Sequence, residues 1–196
     1  MSRTFRMMGV MLTLVALAAV PAAAQSRSSR TQSSRVPNGS MFGLGMATGV
    51  LAPSSIDQNN GWYLTVNGEG YFTPRVSARA QFGGGWSDIF GHSFAGQVKP
   101  MVLLGNLVYN WEGGKVHPYV TGGGGMYHYR FTEAGVDSSD TKAGVDFGGG
   151  AEYFFTRHDT LTGEVLFHAV PGMANGRSAD YKARFWTVTG GYKKYF

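Results

Sequence analysis

The sequence predicts an all-β protein, an eight-stranded antiparallel up-and-down transmembrane β-barrel, on the strength of three observations. Eight segments alternate apolar with polar side chains at a period of two, which is the repeat of a β-strand. Their connections alternate between long and short, as they do in barrels that span an outer membrane. The last segment ends on Phe196, a large aromatic residue in mid-pattern, whereas most chain ends are polar and frayed.

The composition of the 196 residues fits this class of protein. Charged residues make up only 15 % of the chain, against roughly 25 % in soluble domains. Aromatic residues make up 14 %, and the 30 glycines suit tightly curved strands. The absence of cysteine excludes a disulfide framework, a thiolate zinc site and lipoprotein acylation. The formal charge of +5 is too small and too scattered to indicate nucleic-acid binding.

The N-terminal region has the features of a secretory signal peptide. Arg3 and Arg6 form its basic start, and an apolar run then leads to a cleavage site of small residues. We therefore expect residues 1–24 to be a cleaved signal peptide, since the apolar run is too short to span a membrane as a helix. Residues 25–39, rich in Ser and Arg, are expected to form a disordered periplasmic tail before an outer-membrane barrel at 40–196.

The predicted strands follow one another from the start of the barrel region. Their ranges are 40–50, 61–72, 76–86, 95–111, 116–131, 142–156, 160–170 and 181–196. The long connections, which we expect to face outside the cell, are 51–60, 87–93, 132–141 and 171–180. The short turns between them are expected on the periplasmic side. We expect the eighth strand to pair with the first, because that pairing removes the last open edge of the sheet.

Each strand has one apolar set of alternating residues. In the first four strands these sets begin at Phe42, Trp62, Val76 and Met101. In the fifth strand, Tyr119, Tyr127, Tyr129 and Phe131 alternate with Met126, His128 and Arg130. In the last three strands the apolar sets begin at Val145, Leu161 and Trp186.

We expect the apolar faces to contact lipid and the polar faces to line a lumen. The polar faces carry few charges, of both signs, whereas a soluble barrel would be covered with Lys and Glu. Aromatic residues gather toward strand ends, where interfacial girdles lie. They are Trp62, Phe72, Trp86, Tyr109, Trp111, Tyr119, Tyr153, Phe155, Tyr192 and Phe196. The predicted polar network of the lumen consists of Glu69, Arg79, Gln81, Asp146, Glu152, Glu164 and His168.

An eight-stranded barrel is just wide enough to be filled by its own side chains, so no open channel is expected. The glycine runs lack the Lys and Ser or Thr of a phosphate-binding loop, and we expect them to ease curvature and to seat rings from neighbouring strands. The five histidines have no metal-binding spacing. We expect no catalytic residue, no metal and no cofactor.

Three stretches carry a family resemblance. They are 104–111 (LGNLVYNW), 116–125 (VHPYVTGGGG) and 191–196 (GYKKYF). Over about 40–196 the chain resembles the small outer-membrane β-barrel superfamily, the porin-like or OmpA/OmpX-type barrels of Gram-negative bacteria. The chain end is similar to the signal that the barrel-assembly machinery reads, with Val188, Tyr192 and Phe196 at the matching positions. Lys194 departs from that signal, because an aromatic residue is usual there.

Members of this superfamily differ widely in role, so the fold alone does not give the function. We expect a monomeric, non-enzymatic outer-membrane protein with a structural or surface-interaction role in adhesion or the envelope. Its expected partners are outer-membrane lipid and lipopolysaccharide, and the assembly machinery during biogenesis. One alternative is a lipid A-modifying enzyme, although no His is followed two positions later by Ser, as it is in lipid A deacylases. Another is a soluble, lipocalin-like carrier. The ligand of the outer loops cannot be deduced from their ordinary Ser, Asn, Asp and Gly.

Overall fold

The protein forms a closed barrel of eight antiparallel strands in sequence order. The computed structural model describes residues 42–54, 59–91, 94–111, 114–133, 136–173 and 181–196. The strands are β1 (Phe42–Pro53), β2 (Gly61–Tyr71), β3 (Val76–Gly91), β4 (Phe94–Asn110), β5 (Val116–Glu133), β6 (Val136–Phe154), β7 (Asp159–Met173) and β8 (Tyr181–Tyr195). The predicted fold class is confirmed. The expected signal peptide and tail lie outside the described residues.

Pairing between β8 and β1 closes the sheet, as expected. The ladder runs from Gly43 opposite Tyr195 to Pro53 opposite Phe185. At the end of the ladder next to Gly43 and Tyr195, the Phe196 amide donates a hydrogen bond to the carbonyl of Phe42 over 2.8 Å. Closure matters because backbone groups at a lipid-exposed edge would have no partner. In the described part of the chain, no helix is long and apolar enough to span a bilayer.

Two hairpins extend well beyond the predicted strands. β3 and β4 pair as far as Gly91 and Phe94, and β5 and β6 pair as far as Glu133 and Val136. The prediction of loops at 87–93 and 132–141 is therefore largely wrong, because most of these residues belong to paired strands. The prediction ended each strand where apolar alternation ends, but a backbone ladder needs no apolar face. Polar cross-strand contacts stabilise it instead, as where Thr132 Oγ1 donates to Asp137 Oδ1 over 2.8 Å.

Threonine side chains fix two of the short turns at the other end of the barrel. In the turn after β2, Thr73 Oγ1 accepts hydrogen bonds from the backbone amides of Arg75 (3.2 Å) and Val76 (3.0 Å). In the turn after β6, Thr156 Oγ1 accepts from the amides of His158 (3.2 Å) and Asp159 (2.9 Å). Such hydroxyl-to-backbone bonds favour a tight turn and thus fix the register of both hairpins.

The two faces of the barrel differ in chemistry. Outward-facing residues are mostly apolar and exposed, for example Leu103 at 58 %. Inward-facing polar residues are buried, for example Glu69 at 0 %. Trp62 in β2 and Phe72 just after β2 are ten positions apart. At roughly 3.3 Å per residue and a tilt of about 40°, this separation gives an apolar band about 25 Å tall. That height matches the hydrocarbon layer of an outer membrane.

Candidate functional site: the interior of the barrel

The interior is filled by three groups of side chains, stacked along the barrel axis. The aromatic floor, at the end with the short turns, consists of Tyr71, Phe154 and Tyr195. The charged layer above it consists of Glu69, Arg79, Glu152, Glu164 and Lys193. The apolar cap, toward the end with the long connections, consists of Leu51, Tyr63, Val98, Val102, Leu104, Tyr127, Tyr129, Phe131, Val170 and Phe185.

Lys193 is the centre of the charged layer. Its Nζ donates to Glu69 Oε2 over 2.6 Å and to Glu152 Oε1 over 2.5 Å. These two carboxylates come from β2 and β6, so a single ammonium on β8 joins strands on different sides of the barrel. Glu69 also accepts from Arg79 Nε (2.9 Å) and Ser77 Oγ (2.5 Å), and it is therefore fully bonded despite its burial.

Arg79 extends the layer to two further strands. Its Nη1 donates to Glu164 on β7, and its guanidinium lies 5.0 Å from the centre of the Tyr119 ring on β5. The Tyr119 hydroxyl donates to the same Glu164 oxygen over 2.8 Å. The planar guanidinium can satisfy several acceptors and a ring face at once, which an ammonium cannot do. The charged layer thus links β2, β3, β5, β6, β7 and β8.

Burial makes this layer sensitive to the loss of any member. Taking an ion out of water costs several kcal/mol, which pairing and hydrogen bonds can offset. Lys193 is 2 % exposed, so it has essentially no water contact. Below it, Tyr195 donates to Glu152 Oε2 over 2.7 Å, and its ring stacks on Phe154 with centroids 5.7 Å apart. The aromatic floor therefore both completes the hydrogen bonding and closes the layer from the short-turn side.

A second polar pair lies between the charged layer and the cap. Asn106 Nδ2 donates to Asp146 Oδ2 over 2.5 Å, although β5 separates their strands. The residue between them in register is Gly123, and a Cβ there would lie 2.5 Å from Asn106 Oδ1. This glycine therefore leaves the space through which the two side chains meet.

His168 occupies a separate position beneath the cap. One ring nitrogen lies 3.0 Å from the Tyr127 hydroxyl and the other 3.1 Å from Thr187 Oγ1, and the ring stacks on Phe185 with centroids 4.4 Å apart. Gln81 is also buried, next to the Tyr63 hydroxyl. All seven residues of the predicted network thus face the interior. Glu69, Arg79, Glu152 and Glu164 join one network. Asp146 and His168 have other partners, and Gln81 Oε1 has no hydrogen-bond partner among the described residues.

Lys193 was not among the residues predicted for the lumen, and Tyr119 was predicted on the wrong face of the barrel. Lys193 shares its parity with Thr187 and Thr189, and the excess of acidic over basic residues on the polar faces called for a further cation. Tyr119 was expected in an interfacial girdle, but it is buried in the lumen. Its ring needs space on the neighbouring strand, which Gly150 provides, since a Cβ there would lie 2.7 Å from the Tyr119 hydroxyl. An aromatic residue opposite a glycine can thus face inward.

The residues of the expected assembly signal lie on one outward face of β8 and its end. Tyr192 and Phe196 are exposed, Val188 is half-buried, and Lys194 is exposed in the same row. Tyr192 donates a hydrogen bond to Asp159 at the start of β7. The row is accessible from the lipid side, and its reading by the assembly machinery stays a prediction.

The described residues contain no group of three or more His, Cys, Asp or Glu side chains that could hold a metal ion. What the arrangement offers chemically is a closed set of ion pairs. In sequence, residues 11–193 match the outer membrane protein beta-barrel domain. The chain belongs to that family. It is therefore a protein of the bacterial outer membrane, and its exposed apolar band is the surface that meets lipid.

Solved structures show the same fold. Neisserial surface protein A matches with a TM-score of 0.62 and 15 % identity, over 80 % of this chain and 97 % of that one. Ail, the attachment invasion locus protein of Yersinia pestis, matches with a TM-score of 0.54 and 14 % identity, over 82 % and 100 %. OprG from Pseudomonas aeruginosa matches with a TM-score of 0.54 and 14 % identity, over 84 % and 99 %. No curated protein matches in sequence.

Proposed function

We propose that this outer-membrane protein is non-enzymatic and has a structural or surface-interaction role, and that its barrel does not conduct solutes. The observation that carries the proposal is the saturation of the charged layer. Its two cations and three carboxylates bond to one another and to Ser77, Tyr119 and Tyr195. A group whose hydrogen-bonding positions are already occupied inside the barrel is a poor candidate for a general acid or base in catalysis.

Access supports the same conclusion. A catalytic acid or base must come within hydrogen-bond reach of a substrate. Glu69 and Lys193 are buried between the aromatic floor and the apolar cap. Tyr71 and Tyr195 come within 3.3 Å of each other, hydroxyl to hydroxyl, across the floor. The interior polar residues therefore act on one another and stabilise the barrel.

The surface-interaction role is assigned to the two long hairpins, β3–β4 and β5–β6. They extend polar strands beyond the apolar band, as with Thr132, Asp137 and Ser139. One protein of the same fold is named for attachment, and its structure was solved with the heparin analogue sucrose octasulfate. That likeness supports a role in which a rigid barrel presents hairpins to the exterior.

An attachment assay tests this role. Replacing residues 132–137 with an Asn-Gly turn would join Phe131 to Ser138, which are already cross-strand partners, and shorten the β5–β6 hairpin. Cells that display the shortened variant should adhere less to host or abiotic surfaces, while the barrel still migrates as a folded species on unboiled gels. Full adhesion with an intact barrel would contradict the assignment of this hairpin.

A second candidate, a lipid-modifying enzyme, is favoured by one observation. On the lipid side, His128 Nδ1 lies 2.8 Å from Thr141 Oγ1, which is the spacing of a base and a hydroxyl nucleophile. Among the described residues, however, no carboxylate bonds to His128 to orient it. Acyl release from lipid A that is present in the wild type and lost in Thr141→Val would establish this candidate and overturn the non-enzymatic proposal.

A further inference from the structure

A pair of like charges lies on the outward face near the long-connection end. Lys99 on β4 is directly opposite Arg130 on β5, and both are exposed. Like charges in direct cross-strand contact destabilise a sheet. In the part of the chain that the structure describes, neither side chain forms an ion pair with a carboxylate. The sheet therefore presents two adjacent cations that an external anion can neutralise.

The pair lies at a boundary in the outward surface. One same-face position toward the middle of the barrel, Met101 is opposite His128, and at the next such position Leu103 is opposite Met126. One step in the other direction, Gln97 is opposite Thr132. Within a few residues the surface thus changes from the apolar side chains of Met101, Leu103 and Met126, through two cations, to a polar row with an acidic residue at each end. A molecule with an anionic head and apolar chains matches that order.

Aromatic residues mark the same level on the neighbouring strands. The register of β3 and β4, with Gly84 opposite Met101 and Ser87 opposite Val98, puts Lys99 level with Trp86. The Trp86 ring lies against Trp62 of β2 with centroids 4.8 Å apart. Tryptophan is enriched where lipid head groups meet the hydrocarbon layer. The two cations are therefore at head-group depth.

Among the described residues, no acidic side chain forms an ion pair with Lys99 or Arg130. On the outward face the nearest described acids are Asp88 and Asp137, one row further out. Asp137 accepts from Thr132 over 2.8 Å, and Asp88 accepts from Gln97 over 3.4 Å. Both acids bond to neutral side chains, which leaves the cations available to a ligand.

We propose that Lys99 and Arg130 bind the phosphate of an outer-leaflet lipid whose acyl chains lie along Met101, Leu103 and Met126. A phosphate between the two strands would relieve the repulsion, and the guanidinium of Arg130 can bind it with two parallel hydrogen bonds. This inference rests on the outer-membrane location and adds a specific lipid partner to the proposed structural role. It makes the β4–β5 surface a site where the barrel is anchored to its leaflet.

The test uses the full protein in phosphatidylcholine nanodiscs that contain diphosphorylated lipid A or its dephosphorylated form. Native mass spectrometry counts the lipid A molecules that each protein retains. The double variant Lys99→Gln, Arg130→Gln should retain the phosphorylated lipid about tenfold less than the wild type. Neither protein should retain the dephosphorylated form. A matched control, Lys115→Gln with Arg157→Gln, removes two exposed cations at the short-turn end and should behave as the wild type.

Equal retention by the double variant and the wild type would overturn the site, as would an equal loss in the control. Inorganic phosphate added at millimolar concentration should not release the lipid, and release would show a site for free phosphate instead. Both double variants should migrate as folded barrels on unboiled gels. A retained lipid that has lost an acyl chain would contradict the non-enzymatic proposal while leaving the binding site in place.

Discussion

The charged layer and the apolar cap fill the same barrel with opposite chemistry. In the charged layer, directional bonds join Lys193 to Glu69 and Glu152 within 2.6 Å. In the cap, rings such as Tyr127 and Phe185 contact edge to face at 6.3 Å between centroids. Dispersion contacts are individually weak and tolerate small shifts, whereas a buried charge that loses its partner has no substitute. The two regions should therefore respond differently to single substitutions.

The largest effect is expected for Lys193→Met. This change leaves Glu69 and Glu152 buried without their shared cation, and it should lower the free energy of unfolding by about 3–5 kcal/mol. Urea unfolding of the refolded protein in detergent, followed on unboiled gels, measures it. Lys194→Met is the matched control, because that neighbouring lysine is exposed on the outward face. Equal stability of the two variants would contradict a structural role for the charged layer.

A smaller loss of stability is expected at Gly150, where the ring of Tyr119, which bonds to the charged layer, packs against a glycine. A Cβ at Gly150 would collide with the Gly163 carbonyl and the Tyr119 hydroxyl, so Gly150→Ala should cost about 1–3 kcal/mol. At Gly163 a Cβ would meet nothing within 4 Å, and Gly163→Ala should change stability by less than about 0.5 kcal/mol. The same unfolding assay compares them, and similar values would show that Tyr119 moves aside freely.

The cap should respond gradually. Val102→Ala removes two buried methyl groups and should cost about 1.5 kcal/mol by lost burial. Its neighbour Leu103 faces lipid, so Leu103→Ala should lower the unfolding free energy in detergent less than Val102→Ala does. A loss of unfolding free energy in Val102→Ala as large as that in Lys193→Met would contradict the distinction between the cap and the charged layer.

The sequence predicted the β2 pattern correctly because its two faces differ cleanly, with Trp62, Leu64 and Val66 outward and Glu69 inward. It failed on β5, where Tyr119 and Tyr127 face inward against Gly150 and Gly144 of β6. The aromatic character of a side chain does not determine whether it faces the lumen or the lipid, since a ring fits on either face where the neighbouring strand leaves space. The role of Lys193 was also missed, because the bond partners of a long side chain depend on residues that are distant in sequence.

Strand ends were the other failure. Apolar alternation ends where a strand leaves the lipid. The β5–β6 hairpin continues past that point, with Thr132 and Asp137 in cross-strand contact. No local signal distinguishes such a polar ladder from an irregular loop of the same composition. The hairpins that carry the proposed attachment role were therefore visible only in the structure.

Conductance across a planar lipid bilayer is the most direct test of a closed interior that is filled by side chains. Reconstituted wild-type protein is expected to give no stepwise conductance, because the aromatic floor, charged layer and apolar cap occupy the lumen. Incorporation is verified independently by the gel shift of protein recovered from the same proteoliposomes. Reproducible single-channel steps from verified, folded wild-type barrels would contradict the account.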